Sequence, residues 1–463
     1  METQLRSFGK RDRIGYFFGD FGNALLFGLA SNYLTLFYVD ILGIAAASVG
    51  TLLLVARAWD AINDPIIGTW IDTRKPTKAG QFRPWFLRMA IPVAGFGVLS
   101  FFCVPALAAA PIGVKLLYAY VTYIGFGMSY TAINIPYGAL VSVMTDVPTE
   151  RASLSMARAY GSTVAILMVN MLVPIFVFNK DNIPQASGFI QIVLILAVLS
   201  LISWVLCYKM TEERIRRPSA AHQKIDFKAT FVGVAKNKSF IALVLSGFLS
   251  LMQFLVIGTL TPYLFKDYFR DTQTLPWVAL VSMLPLFLIS PILKPLVSKF
   301  GKKEISVIGC IFASFFGFLI YFLPSINTWT YLILLFFCTA GYTFINLLTW
   351  ALVADAIDYH EYITHRREEG IIYAIYSFSR KMGQAGAGFL GAWVLIWVGY
   401  VAKAPVQSLE TANKIKEFAG LIPGILNLAV AVVMFFLYDL NREKLAGITE
   451  ELRERRKSLG NHS

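Results

Sequence analysis

The chain is 463 residues long, 57% hydrophobic and only 15% charged, with a mean hydropathy of +0.62. A water-soluble protein of this size carries roughly 25% charged residues and divides into two or three domains, so the composition argues against a soluble enzyme and makes lipid the solvent. The formal net charge of +13 suits a membrane surface better than nucleic acid, because the cations fall between apolar runs.

Those runs approach or exceed the ~18-residue threshold for a transmembrane helix along the whole chain. They predict an all-α integral membrane protein with twelve spans, at about 14–39, 48–72, 85–108, 113–144, 152–178, 188–208, 239–265, 275–298, 304–323, 328–359, 371–401 and 418–440. The first run is too long for the core of a cleavable signal and carries Asp20. Of the 41 Lys and Arg, 29 fall in the segments that share a side with the termini and seven in the opposite loops. This asymmetry predicts that both termini are cytoplasmic. Five more, Arg57, Arg158, Lys294, Arg380 and Lys381, fall at or near membrane depth.

Span one places Tyr16, Asp20, Asn23 and Phe27 on one helical face. A carboxylate there can accept hydrogen bonds from two neighbouring hydroxyls of a guest, or pair with a base on another helix. Span two reads Ala56-Arg57-Ala-Trp59-Asp60-Ala-Ile-Asn63-Asp64-Pro65, with Arg57, Asp60 and Asp64 sharing a face. Each such charge costs about 2.5–3.5 kcal/mol at the bilayer centre on insertion scales. Arg57 can neutralise one carboxylate, and the other then suits a proton or a sodium ion. Reversible occupancy of that kind is what coupled transport requires. Span four carries Tyr130, Thr131 and Asn134 ahead of Pro136, whose missing amide frees a carbonyl. Arg158 in span five is a fork donor for paired hydroxyls or a carboxylate, and could otherwise reach the headgroups.

A long basic segment, 211–238, separates an N-terminal six-helix bundle, 1–210, from a C-terminal one, 239–440, and residues 441–463 form a cytoplasmic tail. At the inner end of span ten, Asp355, Asp358, Glu361 and Arg367 read as a gate network of charges. Span eleven carries Tyr373, Tyr376, Ser377, Arg380, Lys381 and Gln384. Lys381 is the deepest base of the second half, and the span-two carboxylates are its natural partners. The four cysteines, Cys103, Cys207, Cys310 and Cys338, lie in apolar runs with no Cys-x-x-Cys pairing and read as packing residues. Gly386-Ala-Gly388-Phe-Leu-Gly391 matches a dinucleotide fingerprint as text but follows no strand. His360 and His365 are one residue too far apart for a zinc-protease helix. No cofactor and no nucleic acid are expected. The partners expected are a small-molecule substrate, a coupling cation and the bilayer, with the oligomeric state open and a monomer compatible with the sequence.

The chain resembles the glycoside–pentoside–hexuronide:cation symporters, the melibiose permease family of the major facilitator superfamily. The resemblance covers nearly the whole chain. It is carried by Arg57 to Pro65, Gly80-Gln-Phe-Arg83-Pro84-Trp85, Gly19-Asp20, Asn134-Ile-Pro136-Tyr137-Gly138 and Ala354-Asp355-x-x-Asp358-Tyr359-x-Glu361-Tyr362. Gly68-x-x-x-Asp72 and Lys299-Phe-Gly301-Lys302-Lys303 are similar to the loops that latch the inner gate in that superfamily. The resemblance implies a major facilitator fold, a cation held by Asp60 and Asp64 with help from span-four polar groups, sugar contacts at Asp20 and Arg158, and Lys381 close to both. The reading of the residues adds Asn63 and Thr131 to the expected cation site, Tyr130, Asn134, Tyr376 and Lys381 to the expected sugar site, and a charge network of Arg57, Asp72, Asp355, Asp358, Glu361 and Arg367. Melibiose permease has an aspartate where this chain has Asn134 and a tryptophan where it has Gly138. That departure counts against an α-galactoside and favours H+ over Na+ as the coupling ion, sodium at Asp60 and Asp64 being the alternative. The expectation is a sugar:cation symporter in the bacterial inner membrane, acting by alternating access on a glycoside, pentoside or hexuronide. The rival readings are a lysolipid:cation symporter on the same scaffold and a non-transporting membrane sensor. No nucleophile, metal set or cofactor motif points to an enzyme.

Overall fold

The computed structural model describes residues 6–73, 77, 79–145, 147–215, 237–364, 369–402, 404, 406–445, 447–448 and 450–452. Lipid offers no hydrogen bonds, so a spanning backbone must satisfy itself, and helices do so along their own length. Among the described residues twelve long helices follow one another: α1 (Lys10–Leu36), α2 (Ala46–Thr73), α3 (Pro84–Ser100), α4 (Ile112–Met144), α5 (Pro148–Val177), α6 (Ala186–Met210), α7 (Lys238–Tyr263), α8 (Leu275–Phe300), α9 (Lys302–Phe322), α10 (Thr328–Thr364), α11 (Glu369–Trp397) and α12 (Leu409–Leu437). Among the described residues there is no strand beyond two isolated bridges. Eight of the helices are long and apolar enough to cross a membrane, and α3 is a shorter apolar helix.

The helices follow the expected order, with two corrections at their ends. The third expected span ran to 108, but α3 stops at Ser100 and a separate turn, Pro105–Ala108, follows. Pro105 has no amide proton and disfavours helix at the residue before it, which favours a new start there, although other helices of this chain do run through proline. The twelfth was expected from 418, but α12 starts at Leu409. Its first turns carry Glu410 and Lys414, an i,i+4 ion pair at 2.6 Å on an exposed face, polar residues that a search for apolar runs passes over.

The chain forms two compact units. The first comprises Met1–His222 together with Phe265–Ala279 and Gly391–Ser408, and the second comprises Gln223–Leu264, Leu280–Leu390 and Leu409–Ser463. Within the first unit α1 is the central helix, packed against α5 and α6, while α4 packs on α2 and α3. Small residues allow this: a Cβ on Gly161 of α5 would lie inside contact distance of the Phe17 carbonyl oxygen of α1. The start of α3 is held from far along the chain. Glu213, just past α6, accepts backbone N–H bonds from Gln81, Phe82 and Arg83 at 2.7, 2.8 and 2.8 Å. Gly80, with φ of +114°, makes the turn before them that an L side chain rarely adopts. Arg214, next to Glu213, grips the buried Asp12 of α1 with two bonds of 3.0 Å.

In the second unit α9 meets α10 and α12 through glycine. A Cβ on Gly309 would lie 2.7 Å from the Gly341 oxygen, and one on Gly317 would lie 2.7 Å from the Gly424 nitrogen. Around this seam Phe240, Leu243, Cys310, Leu352 and Met434 form a buried core, which Ile448 and Leu452 of the chain's last described turns also join. Asp439, beyond α12, accepts bonds from Ser239 and Lys444. Burial alone would push its carboxyl up, but those two donors hold it below the usual carboxylate range. The cysteines Cys103, Cys207, Cys310 and Cys338 are all free and buried.

Candidate functional site

Within the first unit, charged residues of the apolar helices gather along stripes of α1, α2 and α5 that meet α4. On α4 the residues Tyr123, Gly127, Tyr130, Asn134 and Gly138 recur every three or four positions and so line one side. On α2, Arg57 donates to Asp60 at 3.0 Å and to the Tyr123 hydroxyl at 3.3 Å, and its guanidinium lies over Phe27 of α1 at 5.7 Å. A Cβ on Gly127 would come within 3.1 Å of an Asp60 oxygen, so glycine at that position leaves the carboxylate its room. One turn further, Thr131 donates to Asp64 at 2.8 Å. Asn63, between them in sequence, is 5% exposed, and its amide nitrogen has no partner among the described residues. Of the four expected cation ligands, Asp64 and Thr131 are in contact, and Asp60 lies one turn from Asp64 on the same helix.

A second cluster lies along the same stripe. Arg158 of α5 approaches Asp20 of α1 at 3.5 Å, and its guanidinium lies over the Tyr137 ring at 5.3 Å. Tyr137 and Tyr16 stack at 4.5 Å, and each hydroxyl donates to the other residue's carbonyl, at 2.7 and 3.2 Å. Asn23 of α1 connects Asn134 of α4, at 3.5 Å, with the Trp204 indole of α6, at 2.9 Å. Tyr130 stacks on Phe27 at 5.4 Å, which joins the two clusters through one aromatic contact. The arrangement offers a carboxylate, a guanidinium, two amides and aromatic faces within one group of helices. That set can bind hydroxyl-rich or anionic solutes by hydrogen bonds and stacking.

The remaining expected residues are distributed differently. Tyr376 of α11 is buried in the second unit with its ring edge on Trp350 at 5.6 Å, and Lys381 lies on an exposed part of α11 in that unit. Asp355 of α10 takes two bonds from Lys302 at 2.6 and 2.7 Å, which makes an ion pair between helices α9 and α10. Asp358 and Glu361 are half-buried on the same helix. Arg367 and the Asp72 side chain lie outside the described residues. Sequence reasoning missed Tyr123 and Trp204. Tyr123 could have been found by extending the α4 stripe one turn back, whereas nothing local marks Trp204 as a partner of Asn23.

A family model described as MFS/sugar transport protein matches residues 15–442. The chain is 32% identical to a putative sulfoquinovose importer of Escherichia coli strain K12, over 96% of this chain and 94% of that protein. It is 30% identical to a glucuronide carrier protein homolog of the same organism, over 96% of each. Among solved structures it is similar to a D-xylose-proton symporter, with a TM-score of 0.64 at 15% identity, over 92% of this chain and 96% of that one.

Proposed function

Because the chain belongs to the MFS/sugar transport family, we propose that it is a secondary active sugar:cation symporter with a proton as its coupling ion, for a glycoside, pentoside or hexuronide. Asp60, Asn63, Asp64 and Thr131 form the coupling site. Asp20, Tyr130, Asn134 and Arg158 contact the sugar, assisted by Tyr376 and Lys381 of the second unit. Asp355, Asp358 and Glu361, with Arg57, Asp72 and Arg367, form the charge network that responds to occupancy. The two six-helix halves, 1–210 and 239–440, alternate a central site between the two sides of a bacterial inner membrane, with both termini cytoplasmic.

The observation that carries this reading is the pair of carboxylates one turn apart on α2, Asp60 bonded to Arg57 at 3.0 Å and Asp64 to the neutral Thr131 hydroxyl at 2.8 Å. Two acids held that close in an apolar bundle repel and are costly to keep charged, and a reversibly bound proton offsets that cost. Asn134, which stands where an acid would add a ligand, carries no charge, so the titratable groups of the site are those on α2.

The test is Asp60→Asn in proteoliposomes. Uphill sugar accumulation is lost, while exchange of labelled for unlabelled sugar continues, because the sugar contacts remain. Accumulation equal to wild type would refute the coupling role.

A further inference from the structure

At the end of the first unit where α1 finishes lies a polar cluster that the coupling and sugar sites do not use. α1 runs into a π-helical turn, Phe37–Ile41, which carries Asp40. A second π-helical turn, Leu264–Phe269, follows α7 and carries Lys266 and Asp267. Tyr400 follows α11. The segments Phe265–Ala279 and Gly391–Ser408 belong to the same compact unit as α1, and side-chain bonds tie them to it. Lys266 donates to the Tyr400 hydroxyl at 2.6 Å and to Asp40 at 3.3 Å, and the Tyr400 hydroxyl lies 2.9 Å from each Asp40 oxygen. Asp267 stands 3.7 Å from the same ammonium. Asp40, Lys266 and Asp267 are 8%, 6% and 6% exposed. An independent clasp lies nearby: Asn182, between α5 and α6, donates to the Arg270 carbonyl at 2.7 Å and accepts from the Thr272 amide and hydroxyl at 2.9 and 2.6 Å.

A permanent brace in lipid needs only packing, as the glycine seam of the second unit illustrates. Buried ion pairs add little net stability, because desolvation offsets their attraction. They have one property packing lacks: when the contact parts, water rehydrates every member, so the open state is not penalised. We propose that Asp40, Lys266 and Tyr400 form the latch of the gate opposite the termini. The latch holds the segments after α7 and α11 against the end of α1, and it parts whenever that side opens. This rests on the transport reading above. Gly43 and Gly399, with φ of +70° and +74°, lie within three residues of Asp40 and Tyr400 and give the chain freedom to turn there.

A cavity of about 440 Å³ beside the latch supplies the test, since it is lined by Asp40, Lys266 and Cys103 together with Pro105, Ile183 and Ala404. Labelling of Cys103 by a membrane-impermeant maleimide, applied to the outside of intact cells, reads the latch with no sugar present. Tyr400→Phe removes the bridging hydroxyl but keeps the ring, and Asp40→Asn removes its charged acceptor. Each raises the rate at Cys103 by about tenfold or more, the population change expected on losing a hydrogen bond to a charged group. Cys207, Cys310 and Cys338 stay unlabelled, which shows that the variant is folded. If Tyr400→Phe labels all four thiols it has unfolded, and Asp40→Asn decides by the same criterion. Wild-type labelling rates in both folded variants overturn the latch. Absence of sugar counterflow in the wild type, with Cys103 still responding to the variants, would remove the transport reading and leave the latch standing.

Discussion

On the proposed contact of Arg158 with the sugar, Tyr137 sets affinity without touching the sugar itself. Its ring supports the Arg158 guanidinium, and its hydroxyl fixes the ring to the Tyr16 carbonyl. Loss of one neutral hydrogen bond is worth about 1 kcal/mol. Tyr137→Phe should therefore raise the half-saturating sugar concentration roughly fivefold with unchanged expression, and Tyr137→Ala should do far more damage by removing the stack. Equal transport kinetics in Tyr137→Phe would show that Arg158 needs no such support. The acids and bases of this region were legible in the sequence, because a charge in an apolar run needs a reason, and so were Tyr16 and Tyr130, which share their helical faces. Tyr123 and Trp204 were not. Polar-tipped aromatics are common in membrane helices, and their partners come from other helices, which only the folded arrangement brings near. Asp40 was passed over because it falls at the end of a run, where an acid is ordinarily solvated.

Among the elements, the all-helical class and the order of the helices could be read from hydrophobicity, and their ends could not. The break after α3 follows from Pro105, a local signal outweighed by the apolar residues on both sides. The capture of the α3 start by Glu213 spans 130 to 132 residues of sequence, so no local pattern announces it. Its contribution is measurable. A carboxylate that accepts three backbone bonds cannot be replaced by an amide of the same shape without turning one donor against the others. Glu213→Gln should therefore lower the first unit's stability by about 1–3 kcal/mol, read as an earlier thermal transition of the purified carrier. An unchanged transition would mean that the α3 start holds itself. At the other end of the chain, Asp439 stabilises the fold at neutral pH through Ser239 and Lys444. Its carboxyl is held below the usual range, so that contribution is lost only as pH falls through and below that of an ordinary carboxylate, about 4.

For the whole molecule, composition alone indicated lipid as the solvent, and the basic loops indicated an orientation. What composition could not indicate is how the chain divides, because segments distant in sequence, after α7 and α11, belong to the unit built mainly from the first six helices. The proposed coupling belongs to this scale as well. With an amide at Asn134 and carboxylates at Asp60 and Asp64, uptake should rise severalfold as external pH falls from about 8 to about 6, and should not respond to sodium at fixed pH. Sodium-dependent uptake at constant pH would reverse the choice of ion.

The glycine seam of α9 with α10 and α12 has a practical consequence. Contacts between bare backbones rest mainly on close packing and depend little on charge, so they respond less than polar clasps do to a change of the surrounding amphiphile. During extraction with harsh, short-chain detergents the second unit will keep its form longest, and purification trials are better directed at additives that protect the polar clasps of the first.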